Sequence, residues 1–158
     1  MQEMRLYIYT DAPLIGEATV PVRYHLQFIR DDQIRASERE KEYASVTSNQ
    51  KGATMETMIA AITRIKDGNK IPLTVVCHCS GDFMGAINQA LYVKWRQNAW
   101  KSSKGKEIEH ADKWQRLCEL FEKKLPKIKA RPPEDSESPI MERLGAKPFI
   151  PYTQLAQR

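Results

Sequence analysis

From Met4 to Thr10 (MRLYIYT) apolar and polar positions alternate, and aromatic and β-branched types dominate; the pattern predicts a half-buried strand ending at Thr10-Asp11. A turn marked by proline and glycine follows over Ala12 to Gly16. The alternation returns from Tyr24 to Arg30 (YHLQFIR) until Asp31-Asp32 breaks it, and Tyr43 to Thr47 (YASVT) predicts a third strand. Together these segments predict an antiparallel meander.

At Thr54 the period changes. Met55, Met58, Ile59, Ile62 and Ile65 recur at helical spacing, with Gly68-Asn69 closing the helix. Ile71 to Cys79 (IPLTVVCHC) is a short, nearly continuous apolar run, as expected of a strand buried on both faces. A helical crossover before it predicts that this strand lies parallel to the first. Ser80-Gly81-Asp82 reads as a capping turn, Met84, Ile87, Leu91 and Trp95 as one helix, and Trp114, Leu117, Cys118, Phe121 and Leu125 as another, stopped by Pro126. The segment Ala130 to Pro139 (ARPPEDSESP) reads as a loop or linker, Ile140 to Gly145 as a short helix and Pro148 to Arg158 as irregular. The expected organisation is one α/β domain over 1–129, a mixed sheet with helices in the order β-β-β-α-β-α-α, followed by a tail over 130–158.

Length and composition narrow the class. A chain of 158 residues makes one core, and 7 glycines without repeats exclude collagen-like and low-complexity architectures. No apolar run approaches the ~20 residues of a membrane helix, and Met1 to Tyr9 lacks the features of a signal peptide. A cytoplasmic protein without membrane partners is therefore expected. The three cysteines, Cys77, Cys79 and Cys118, have no framework spacing, so reduced and mostly buried thiols are expected, with no disulfide-linked partner. Without a CxxC pair or a spaced His pair, a structural zinc site is not expected.

Charge changes the picture most. Between Lys94 and Arg131 stand 12 basic and 5 acidic residues, a local +7 within a chain of net +5. Trp95, Trp100 and Trp114 fall in or beside this block, and cations interleaved with aromatic faces suit a nucleic-acid backbone. The plain alternative is a solvated lysine-rich helix face with tryptophans in the core. His25 and His78, in apolar strands, read as core histidines, whereas His110 lies in the basic segment.

One stretch is more specific. Trp95 to Leu117 reads W-(x4)-W-K-S-S-K-G-K-(x5)-D-K-W-Q-R-L, which resembles the basic protrusion and following helix of the ribonuclease H family. In the first half, YIYTDA (Tyr7 to Ala12) is similar to the family's first strand ending T-D-G, and Thr47 and Asn49 precede a helix carrying Glu56. The resemblance covers about residues 4–125 and implies a ribonuclease H-like mixed sheet with a basic handle at about 94–113. It implies an endonuclease that cuts the RNA strand of RNA/DNA hybrids with Mg2+ or Mn2+. Two such ions need several oxygen ligands converging from separate elements. The resemblance places Asp11 and Glu56 in the first two ligand positions. At the third, where the family has T-D-S, stands Cys79, a poor magnesium ligand. Asp82 three residues on would have to replace it, and Glu142 would stand in for a late-helix carboxylate. Nucleic-acid contacts are implied for Asn49, Trp95, Trp100, Lys101, Lys104 and Lys106. The alternative is a module that keeps the grip on the hybrid and has lost the chemistry at Cys79. A third possibility is an interaction domain with no nucleic-acid role.

Overall fold

The computed structural model describes residues 2–39 and 44–146. Tyr43 and the tail from Pro148, both assigned from the sequence, lie outside the described residues. A five-stranded mixed sheet runs in the order β4-β3-β1-β6-β7, formed by β1 (Gln2–Ile8), β3 (Tyr24–Arg30), β4 (Gln33–Arg39), β6 (Leu73–Cys77) and β7 (Ile128–Arg131). β1 is antiparallel to β3, and β6 lies parallel to β1, with Met4 opposite Leu73 and Ile8 opposite Cys77, as the helical crossover predicts. All five residues of β6 are buried. Leu73, Val75 and Cys77 enter the main core, while Val76 faces a second cluster with Tyr7, Met141 and Leu144.

The meander closes differently from the sequence pattern. Its third strand is β4, not the segment around Val46. Asp31 and Asp32, with φ of 51° and 63°, form the two-residue turn of a β3–β4 hairpin, so the residues that break the alternation are the turn itself. β5 (Ser45–Ser48) instead pairs with β2 (Ala18–Pro21) in a separate two-stranded sheet. At the far edge, β7 occupies part of the stretch read as a linker. Ala130 is 5% exposed in the main core, and the Asn88 amide donates to its carbonyl (2.9 Å) and accepts from its N–H (2.8 Å), covering the sheet edge. The expected 129/130 domain boundary thus falls inside a strand.

Helix α1 (Gln50–Thr63) buries Met55, Met58, Ala61 and Ile62 and packs against α4 (Ala111–Lys124), which buries Trp114, Leu117, Cys118, Leu120 and Phe121. The helix expected from Met84 to Trp95 is two helices, α2 (Gly81–Asn88) and α3 (Leu91–Gln97), broken at Ala90 with φ 51°. The break lets α2 follow β7 while α3 packs on α4. Beyond β7, a 3-10 turn (Asp135–Glu137) and α5 (Ser138–Arg143) lie against the other face of the sheet. They are tied to it through the Glu137 carboxylate, which accepts from Arg131 at 2.6 and 3.0 Å.

His25 is buried edge-on to Tyr7, whereas His78, expected in the core, is exposed just past the end of β6. Cys77 and Cys118 are buried and Cys79 is half-buried, all three as free thiols. No helix among the described residues is long and apolar enough to cross a membrane.

Candidate nucleic-acid interface

The basic segment leaves α3 through Ala99 and Trp100, whose φ values of 52° and 61° reverse the chain. Ile108 N–H then donates to Trp100 O (2.9 Å), and Lys101 bridges Glu107, closing a small hairpin. Inside it Ser102 N–H donates to Lys106 O (2.7 Å), Gly105 turns with φ 80°, and the Asn98 side chain donates to the carbonyls of Lys101 and Ser102. KSSKGK is therefore a braced loop. Lys101, Lys104 and Lys106 are exposed, and none makes an ion pair among the described residues. Trp95 and Trp100 are half-buried and pack on the main core, with Trp95 edge-on to Trp114 at 5.6 Å. They anchor the hairpin and keep part of their surface open.

Asn49 caps α1. Its Oδ1 accepts from Gly52 N–H (3.0 Å), which fixes the amide orientation, and lies 2.8 Å from His110 Nε2, which must then carry a proton. The Nδ2 group reaches Glu109 Oε1 at 3.4 Å. Burial above all, with Lys113 and Lys51 nearby, pushes the His110 pKa down, although Glu109 and Asp112 act against it. Asn49 thus fastens the start of α1 to the start of α4, below the hairpin. Glu56, farther along α1, faces α4 and lies 3.5 Å from Lys113 Nζ.

At the end of β6, Cys79 meets the Thr54 hydroxyl and lies in the field of Lys51. Burial raises its pKa, keeping the thiol protonated, although hydrogen bonding with Ser80 and Thr54 and the charge of Lys51 act the other way. Thr54 and Glu56 are two residues apart, about 200° around a helix, so the face of α1 turned to Cys79 carries Thr54 and not Glu56. Asp11 is exposed three residues beyond β1, where Tyr9 hydrogen-bonds to it. Asp82, in the first turn of α2, lines a cleft of about 520 Å³ with Lys51, Met55, Phe83, Trp95, His110 and Trp114 among others. Glu142 is exposed on α5 and lines a different depression, with His78, Glu134 and Asp135.

Among the described residues no three His, Cys, Asp or Glu side chains gather closely enough to hold a metal ion. Asp11, Glu56 and Asp82 are therefore not assembled into one ligand set. A protonated thiol, a hydroxyl and an ammonium do not suit hard divalent cations, which require several anionic or carbonyl oxygens. Lys51, Thr54 and the role of His110 escaped the sequence reading. Gly52, isolated in the first turn of a helix, was the available signal, since such a glycine marks a close approach.

No protein-family model matches the sequence, and no curated protein does. Solved structures do. The chain is similar to a foamy viral protease-reverse transcriptase in complex with dsDNA (TM-score 0.59, 14% identity, 89% of this chain and 90% of that one). It is also similar to the foamy viral protein in complex with an RNA/DNA hybrid (TM-score 0.57, 15% identity, 89% of this chain and 18% of that one). A third similar structure is a type 1 ribonuclease H with the type 2 active-site motif (TM-score 0.54, 14% identity, 86% of this chain and 65% of that one). With a mixed sheet of this order and these helices, the fold is ribonuclease H-like.

Proposed function

We propose that this chain is a nucleic-acid-binding module that grips an RNA/DNA hybrid through the hairpin at Lys101 to Glu107 without hydrolysing it. The observation that carries this reading is the hairpin: a braced loop, anchored by Trp100 and Ile108, holds three exposed ammonium groups outward. The braced backbone has little freedom left to lose on meeting phosphates, and each contact releases counterions. Similar structures hold an RNA/DNA hybrid or dsDNA, and that substrate class is carried over to this chain. The absence of hydrolysis is supported by Cys79 meeting Thr54 and Lys51, and by carboxylates that do not converge.

Fluorescence anisotropy with a labelled hybrid, read across a salt series, tests the grip. Changing Lys101, Lys104 and Lys106 together to Ala should weaken binding and flatten the log–log salt slope by up to about 0.9 per lost contact. An unchanged slope excludes the hairpin from the interface. Cleavage of the RNA strand in Mg2+ or Mn2+, abolished by Asp11→Asn, would return the chain to the nucleases.

A further inference from the structure

The cleft between α1, α2, α3 and the start of α4 has one feature that hybrid binding by the hairpin does not use. Lys51 lines it, half-buried, and makes no ion pair among the described residues. We propose that Lys51 takes a backbone phosphate of the bound hybrid directly on its ammonium, so that binding needs no divalent cation. This rests on the nucleic-acid reading above and specifies how the same surface meets its ligand.

Three observations support it. Met55, Phe83 and Trp95 give the cleft apolar walls beside Lys51, and such low-dielectric walls strengthen the attraction of its ammonium for an anion. Lys51 stands in the first turn of α1 and lines the cleft together with His110, so its charge lies beside the start of α4. Gly81 and Gly85, on the cleft wall, face open space, leaving room for an incoming group. Two carboxylates also line the cleft. Glu109 is engaged by Asn49 and His110, while Asp82 sits in the first turn of α2, where the helix dipole favours it, and opposes an arriving phosphate.

The sign of the Asp82 effect separates the possibilities. A like charge beside the phosphate predicts that Asp82→Asn tightens binding; a metal ligand predicts that the same change weakens it in magnesium. The experiment is anisotropy of a fluorescein-labelled RNA/DNA hybrid with the full chain, in EDTA or in MgCl2 at matched ionic strength. The expected Kd values agree within about twofold, while Lys51→Ala lowers the salt slope by about 0.9 and Lys51→Arg retains it. Binding that tightens tenfold or more in MgCl2, or a Lys51→Ala variant with the parental slope, overturns the proposal while leaving hairpin-dependent binding intact. A parent that binds no hybrid at low salt overturns the nucleic-acid reading itself. Should Lys51→Ala fail to fold, Lys51→Gln read in the same salt series decides: a slope lower by about 0.9 supports the proposal and the parental slope overturns it.

Discussion

His110 Nε2 lies 2.8 Å from the Asn49 oxygen that also caps α1, so a single amide ties together the first turns of two helices 61 residues apart in sequence. His110 itself has φ 58°, a conformation in which His is enriched, and its ring rests against Gly52.

Because burial depresses the His110 pKa below the ordinary value of 6.5, the unfolded chain binds more protons as pH falls through that value. Stability from this group is fully present above the ordinary pKa and declines below it. Urea unfolding followed from about pH 7.5 down to about pH 5 should show a loss that His110→Gln reduces. An identical pH dependence in the variant would mean that His110 is not the titrating group.

Gly52→Ala should destabilise the protein, against the usual gain for this change inside a helix. An added Cβ would collide with Ser48 Oγ and stand 2.7 Å from His110 Cε1. Overpacking of this kind costs about 1–3 kcal/mol, and a thermal melt should show it as a lower Tm. Pairing the change with Ser48→Ala should recover part of the loss, since the nearest clash is removed.

Glu137 is buried and accepts from Arg131, the Glu134 N–H and Tyr7, which hold its carboxyl down at about 2 against the cost of burial. Its contribution is present above the ordinary Glu value and is lost as pH falls toward 2. Glu137→Gln should cost about 1–3 kcal/mol in urea unfolding at neutral pH, since it leaves the Arg131 guanidinium with a weaker partner. The variant should also be less sensitive to acid than the parent.

Cys79→Asp places a carboxylate beside Lys51 and Thr54. On the binding-module reading it pairs with Lys51, weakens hybrid binding and produces no cleavage in Mg2+ or Mn2+, because Glu56 faces α4 instead of this junction. A gel assay of a hybrid labelled on the RNA strand reads this directly. Restored cleavage would show that only one carboxylate separates the chain from a nuclease.

Local pattern carried much of the architecture. The alternation in β1 and β3, the continuous apolar run of β6 and the helical stripes of α1 and α4 are short-range signals, because one face of each element, or both, must be buried. The ribonuclease H-like character of the sheet was legible through the resemblance carried by YIYTDA and by the stretch from Trp95 to Leu117, whereas the bracing of the loop after Trp100 came only with the structure. β4 was not legible either: Gln33 to Ser37 is exposed throughout, so no face imposes alternation, and only its pairing with β3 makes it a strand. Ala90 shows no break in composition; the divergent partners of α2 and α3 bend the chain there. The candidate site depended most on tertiary structure. Sequence order supplies Asp11, Glu56 and Asp82 in the expected succession, but convergence depends on helix phase and strand length. Those terms turn Thr54 toward Cys79, send Glu56 to Lys113 and leave Asp11 beyond the sheet.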